Sequence, residues 1–290
     1  MSQGLEFGSD PERYDLSRPH FDNGVEAQVM DLCVERARLR GKVAIEIGLG
    51  TGLGTEALLS RGVSIVGIEP DERMLKVAER RLEASLVESE EEFESRVEKG
   101  VPAVIIINDT FGGAVRGGKL QVPYGGVVAV TSIHWAIEEC GRAQVSEMIA
   151  NLLEPEGRLA TIHTPIDSAT EKSVRFVKDS QEFWPDEYLK DHPLRLEVGL
   201  RRAEAIPPKD FLPHLQPVSY DTWTIEEDLS IDDYLRNIGT YWEILELDED
   251  VREQFFKEYR CLAEQKYDNR VPVGRAILLQ IEEKSQTYPV

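Results

Sequence analysis

The stretch Val43-Ala44-Ile45-Glu46-Ile47-Gly48-Leu49-Gly50-Thr51-Gly52-Leu53-Gly54 decides the reading of this chain. VAIEIG (43–48) is a short apolar run of the kind a buried strand needs. Glycines clustered directly after it allow positive φ and a close approach of backbone to a ligand. A helix follows, to about Arg61. Strand, glycine turn and helix in this order form the ligand-binding corner of an open α/β sheet.

Outward from that corner the pattern continues. VSIVGIE (63–69) reads as a second strand, and Asp71 N-caps a helix to about Val87. AVIIIN (103–108) and GGVVAVTS (125–132) are strands three and four. A helix over 141–153, a turn at Glu154-Pro155-Glu156-Gly157 and a fifth strand, RLATIHT (158–164), come next. Strands joined by crossover helices imply a parallel sheet with helices on both faces. Upstream, residues 24–39 carry Val25, Val29, Leu32 and Cys33 at helical spacing, and the Glu-rich segment 88–99 reads as a solvated helical face. After Pro165 the rhythm breaks: 166–217 is rich in Pro and aromatics (Phe176, Phe183, Trp184, Tyr188, Phe211). It is expected to be a substrate cap inserted into one domain spanning 1–290. Regularity returns with SYDTWTI (219–225), helices near 231–246 and 249–266, and a last strand at 276–283.

Composition narrows the partners. The 290 residues carry a formal charge of −21, from 54 acidic against 33 basic side chains. Counterion release on phosphate backbones needs clustered Lys and Arg, so a nucleic-acid partner is not expected. No apolar run is long enough to span a bilayer, and the N-terminus lacks the charge and apolar pattern of a secretion signal. Cys33, Cys140 and Cys261 are odd in number and far apart. They suggest reduced thiols in a cytoplasmic protein, and no spacing of Cys and His fits a metal.

Three ligands compete for the glycine turn. A P-loop needs Lys followed by Ser or Thr, which neither Gly41-Lys42-Val43 nor Gly118-Lys119-Leu120 supplies. The dinucleotide pattern needs a third glycine where Leu53 or Thr55 stands. An acid at the strand end followed by GxGxG fits a ligand with an amino-acid head instead. Glu46 precedes Gly48, where it can organise the loop or meet an ammonium group through water. Glu69, at the end of the next strand, can accept hydrogen bonds from both hydroxyls of a ribose. A nucleoside with an amino-acid tail is S-adenosylmethionine.

VAIEIGLGTGLGTEALLSRG followed by VSIVGIEPDERML resembles motif I and the next segment of class I S-adenosylmethionine-dependent methyltransferases. Tyr14 to Phe21, the Ile133-His134-Trp135 end of strand four and Leu153-Glu154-Pro155-Glu156-Gly157-Arg158-Leu159 are similar to segments of its small-molecule branch, which includes ubiquinone-biosynthesis and trans-aconitate methyltransferases. Glu156 replaces the usual first glycine of that turn. The resemblance covers about four-fifths of the chain. It implies a Rossmann-like sheet of seven strands, mostly parallel, with the last antiparallel between its neighbours. It also implies Glu46, Gly48, Gly50 and Gly52 at the methionine end, Glu69 at the ribose, and Met74, Asp109 and Thr110 near adenine.

Methyl transfer to a hydroxyl or an activated carbon acid requires a base. His134, just beyond strand four, is the best placed, and its ordinary pKa near 6.5 suits the task. His163 is a weaker candidate of the same kind, and Tyr14 and His20 can touch substrate from the N-terminal segment. His192 and His214 are expected to be structural, and Lys190, Arg195, Arg201 and Arg202 to be surface charges or partners of an acidic substrate. The expectation is a methyltransferase acting at oxygen or carbon of a small molecule. A relative that rearranges its substrate without losing the methyl group, or a regulatory binding protein, stays open.

Overall fold

The computed structural model describes residues 8–121, 123–164, 171–180, 183, 211–240, 242–245 and 247–285. In chain order the first elements are α1 (Pro11–Ser17), α2 (Gly24–Arg36), β1 (Val43–Ile47), α3 (Leu53–Leu59), β2 (Ser64–Ile68), α4 (Glu72–Leu82), α5 (Glu90–Glu98) and β3 (Val104–Ile107). Then come α6 (Phe111–Arg116), β4 (Tyr124–Val130), α7 (Ile133–Cys140), α8 (Arg142–Leu152), β5 (Leu153–His163) and α9 (Glu171–Ser180). The last are β6 (Leu215–Ser230), α10 (Ile231–Ile238), α11 (Trp242–Leu245), α12 (Glu249–Lys266) and β7 (Arg270–Lys284).

The strands form one sheet in the order β3-β2-β1-β4-β5-β7-β6. β1 runs parallel to both β2 and β4, with Ile45 opposite Val66 on one side and Val127 on the other. β7 is antiparallel to β5, from Arg158↔Glu283 to His163↔Leu278, as the resemblance implied. Chain order runs outward from β1 to β3 and then jumps back to β4. The seam between β1 and β4 is therefore the switch point where an open α/β sheet leaves room for a ligand.

The described chain divides into two compact units. One holds residues 19–163, 211–221 and 278–285, and carries most of the sheet. Its core joins Ile45 and Ile47 of β1, Val66 and Ile68 of β2, Val127 and Ala129 of β4 and Leu159 of β5 to Phe111, Met148 and Ile149 on the helices. The other unit takes in α1, α9 to α12 and the stretches of β6 and β7 from 222 to 277. Its core is aromatic: Phe176 lies edge-on to Tyr234 at 5.4 Å, and Tyr259 lies 4.7 Å from Phe255. Arg13 of α1 donates to the carbonyls of Leu235 (3.2 Å) and Arg236 (3.4 Å) at the end of α10. Those carbonyls lie in the last turn of α10, where carbonyls run short of backbone donors; that of Leu235 also accepts the Gly239 N–H at 3.0 Å, and the guanidinium supplies a further donor.

The structure corrects several expected boundaries. Strand four stops at Val130 rather than Ser132, because Thr131 turns to φ +55° and a helix, α7, starts at Ile133. Glu154 to Gly157, expected as a turn ahead of strand five, loop out within β5: Tyr124 pairs with Leu153 and Gly126 with Arg158. Leu215 already begins β6, inside the span expected for the cap. Most of that cap, with Trp184, Tyr188, Lys190, His192, Arg195, Arg201 and Arg202, lies outside the described residues.

Arg61 fastens the start of α2 to α3. Its guanidinium donates to Asp31 (2.6 Å) and to the carbonyls of Ala57 (2.9 Å) and Ala27 (3.0 Å), with the side chain 13% exposed. Arg61→Ala removes three charge-assisted hydrogen bonds, to Asp31 and the two carbonyls, although Ala57 keeps the Ser60 hydroxyl. It should cost about 2 kcal/mol. Thermal unfolding should show a midpoint lower by about 4–8 °C; an unchanged midpoint would mean that water replaces the guanidinium at no cost.

Candidate active site

The glycine turn leaves β1 at its C-terminal end, and the ends of β2 and β4 flank it. Glu69, the first residue past β2, is buried and uses both carboxylate oxygens. Oε2 accepts the Gly50 N–H at 2.9 Å and Oε1 the Asp71 N–H at 3.0 Å. Burial pushes its pKa up, and the two amides pull it back. Gly50 holds φ +60°. A Cβ placed there would come no closer to the protein than 3.9 Å, from Met74 Cε, so the space above the turn is open and Met74 borders it. Asp71 caps α4 by accepting the Arg73 N–H at 2.9 Å.

The other glycines make the turn fit. A Cβ on Gly48 would lie 2.6 Å from Cβ of Ser132, whose hydroxyl donates to the Ile47 carbonyl across the β1–β4 seam. Gly52, at φ +84°, stands at the N-cap of α3. Gly54 faces Glu46: a Cβ there would sit 2.6 Å from Oε1. Glu46 is 1% exposed and accepts the Thr55 hydroxyl at 2.6 Å. Desolvation raises its pKa to about 8, against which the Thr55 hydrogen bond works, so at neutral pH it is largely the uncharged acid.

Asp109 and Thr110 follow β3 at the same edge of the sheet, but their polar atoms are taken by the cap of α6 and by Lys119 and Glu139. Thr110 caps that helix, with its hydroxyl accepting the Gly113 N–H (3.0 Å) and donating to Glu139 (2.8 Å). Asp109 accepts the Thr110 N–H and pairs with Lys119 at 2.7 Å. The Lys119 hydrogen bond draws its pKa below the usual carboxylate range.

His134 lies in the first turn of α7, its ring 4.5 Å from that of Trp135, and His163 ends β5. The expected pKa near 6.5 is corrected. His134 is exposed by surface area, yet the protein around it strips enough solvation from the charged form to bring it down to about 4, with His163 adding a smaller push. Tyr14 lies under the Arg18 guanidinium at 4.4 Å, His20 is exposed, and His214 donates its backbone N–H to Ser146. Sequence reasoning missed Thr55 and Ser132. A hydroxyl in the first turn of the helix that follows the glycine turn, and a serine just ahead of a helix, were the available signals.

Known proteins match the segment that carries this corner and share the fold. Residues 45–100, which hold the turn, Glu69 and Met74, match the family described as methyltransferase domain. An uncharacterized methyltransferase of Oceanobacillus iheyensis is 24% identical over 145 residues, half of this chain and 54% of that protein. The chain thus spans about half the length of that curated relative. A protein of Anaeromyxobacter dehalogenans, solved as a candidate type II methyltransferase, superposes with a TM-score of 0.53 at 16% identity, over 91% of this chain and 96% of its own. A S-adenosylmethionine-dependent methyltransferase of Thiobacillus denitrificans, solved with S-adenosylhomocysteine, gives 0.51 at 16% identity, over 98% and 99%.

Glu46 links stability to pH. Its folded pKa of about 8 lies above the value of 4.5 expected in the unfolded chain. The folded state therefore holds a proton that the unfolded state releases, and this contribution is complete below about pH 4.5 and lost as pH rises toward 8. Glu46→Gln, which mimics the protonated acid, should gain on the wild type across that window in urea unfolding at stepped pH. Parallel profiles would place the titration elsewhere. The chain has the fold of the class I S-adenosylmethionine-dependent methyltransferases, and the segment that forms its glycine turn matches their methyltransferase-domain family.

Proposed function

We propose that this protein transfers the methyl group of S-adenosylmethionine to oxygen or an activated carbon of a small molecule. One observation carries the reading: a buried carboxylate at the end of β2 stands within hydrogen-bond distance of the open glycine turn at the end of β1. Each Glu69 oxygen takes one backbone amide and keeps lone-pair capacity for a further donor, which suits the two hydroxyls of a ribose. Gly48, Gly50 and Gly52 would carry the methionine end across the turn, Glu46 would brace the turn from below, and Met74 would wall the adenine side. Asp109 and Thr110 would border adenine through the shape of their loop, since their polar atoms are engaged by Gly113, Lys119 and Glu139. The net charge of −21 supports a small acceptor over nucleic acid.

When bound, S-adenosylmethionine supplies an electrophilic methyl carbon on a sulfonium. The protein supplies line of attack, distance and a site for the acceptor's proton. With a pKa of about 4, His134 is a free base throughout the neutral range. Its lone pair can take the proton that a hydroxyl or carbon acid gives up as the new bond to the methyl carbon forms and the electrons of the broken carbon–sulfur bond pass to sulfur.

Hydrogen bonds to charged groups are worth on the order of 1.5–3 kcal/mol each, so Glu69→Ala should weaken S-adenosylhomocysteine binding by about two orders of magnitude or more. Gly50→Val should do at least as much harm, because a β-branched residue at φ +60° is strained and fills the space of the ligand. Unchanged affinity in calorimetry for both variants would refute the pocket. Once a panel of small phenols, enols and acids yields an acceptor, His134→Ala should lower kcat by about 10²–10⁴ and leave cofactor affinity alone. The wild-type rate should be flat from pH 6 to 8, since the imidazole loses its proton near pH 4. A limb near pH 6.5 that vanishes in the variant would contradict the lowered pKa.

A further inference from the structure

Glycines end α6 and fold the chain back on itself. Gly118 takes φ +65°. Its N–H reaches the Val115 carbonyl at 3.1 Å, and the N–H of Lys119 reaches that of Ala114 at 3.0 Å. This left-handed cap returns Leu120 toward Val115, and both side chains stay half-buried. On α8, Gln144, Glu147 and Met148 stand at i, i+3 and i+4, so they share one side of the helix. Between the two elements lies a recess of about 340 Å³, the size of a site for a small organic molecule. Val115, Leu120, Met148 and Leu152 form its apolar wall, and Gln144 and Glu147 border it with polar groups.

Charge around the recess is uneven. Arg116, next to Val115, is drawn to Glu139 at 3.0 Å, and Lys119, next to Leu120, to Asp109 at 2.7 Å. Glu147 is exposed, and it makes no ion pair or hydrogen bond among the described residues. The same holds for Gln144, whose carbonyl is a second acceptor on that side of α8. An apolar wall with an unengaged carboxylate at its rim selects by charge. An anion meets repulsion there. A neutral molecule of the same size displaces water from Glu147 without replacing its hydrogen bonds. A cation with an apolar body covers the wall and pairs with the carboxylate at once.

We propose that this recess is a second binding site, separate from the methyl-donor corner, for a small organic amine. Its apolar body lies against Met148 and Leu120, and its ammonium group pairs with Glu147. The probe is phenethylamine, compared with phenethyl alcohol, which lacks the charge, and with ethylamine, which lacks the ring. NMR of protein labelled at the methionine methyls shows where each binds, because Met148 lines the recess and Met74 borders the donor corner. With phenethylamine the Met148 signal should move saturably, with a dissociation constant on the order of 1 mM or tighter, while Met74 stays in place. The alcohol on wild type, and the amine on Glu147→Gln, should each bind about three- to fivefold more weakly, the share of an exposed ion pair. Ethylamine should leave Met148 unmoved, and Glu147→Lys should reverse the preference, taking phenylacetate over phenethylamine. An unmoved Met148, an alcohol bound as tightly as the amine, or unchanged amine binding in Glu147→Gln would overturn the proposal. Movement of Met74 in place of Met148 would put the amine in the donor corner, which also overturns it and leaves the donor-site reading standing.

Discussion

The two backbone amides that converge on the Glu69 carboxylate, from Gly50 and from Asp71, tie the end of β2 to the turn after β1. Removing an ionised carboxylate from water is costly, and only such donors make a buried acid tolerable at this place. The bond to Gly50 holds the turn in a left-handed conformation over open space, and the bond to Asp71 sets the start of α4, which brings Met74 to the rim. The rest of the corner serves the same geometry. Ser132 occupies the place a side chain on Gly48 would need, and Glu46 fills the space beside Gly54 as an acid kept mostly protonated.

Much of this corner was legible because it is local. β1, the glycine turn, β2 and the Asp71 cap are consecutive in sequence, and their apolar runs and glycines have few alternative conformations. The antiparallel final strand was legible only through family resemblance, since nothing in 276–283 states its direction. The misreadings came from long-range pairing. Glu154 to Gly157 have turn chemistry and do leave the ladder, but Leu153 before them is recruited by Tyr124, so the strand begins earlier than composition suggests. The charged end of β6, Glu226 to Ser230, has little strand propensity and is extended through sheet pairing instead.

Site chemistry was less legible than site position. Spacing placed Glu46, Glu69 and His134 at strand ends; Glu46 is the penultimate residue of β1, Glu69 directly follows β2, and His134 is set back into the first turn of α7. Their protonation depends on burial and on neighbours distant in sequence, as with His163 beside His134 and the hydroxyl of Thr55 on Glu46. The same holds for Asp109, whose carboxylate is drawn to Lys119 ten residues away. No pattern in the sequence announces the backbone of Thr131, because threonine is the last residue that propensity would assign to a left-handed turn.

The central claim is that the Gly50–Glu69 junction receives a nucleoside with an amino-acid tail. Amide NMR during titration with S-adenosylhomocysteine reads that junction directly, because the two protons held by Glu69 belong to Gly50 and Asp71. Both resonances should move saturably and with a common dissociation constant. Binding that left both unmoved, while amides elsewhere in the chain shifted, would contradict the account.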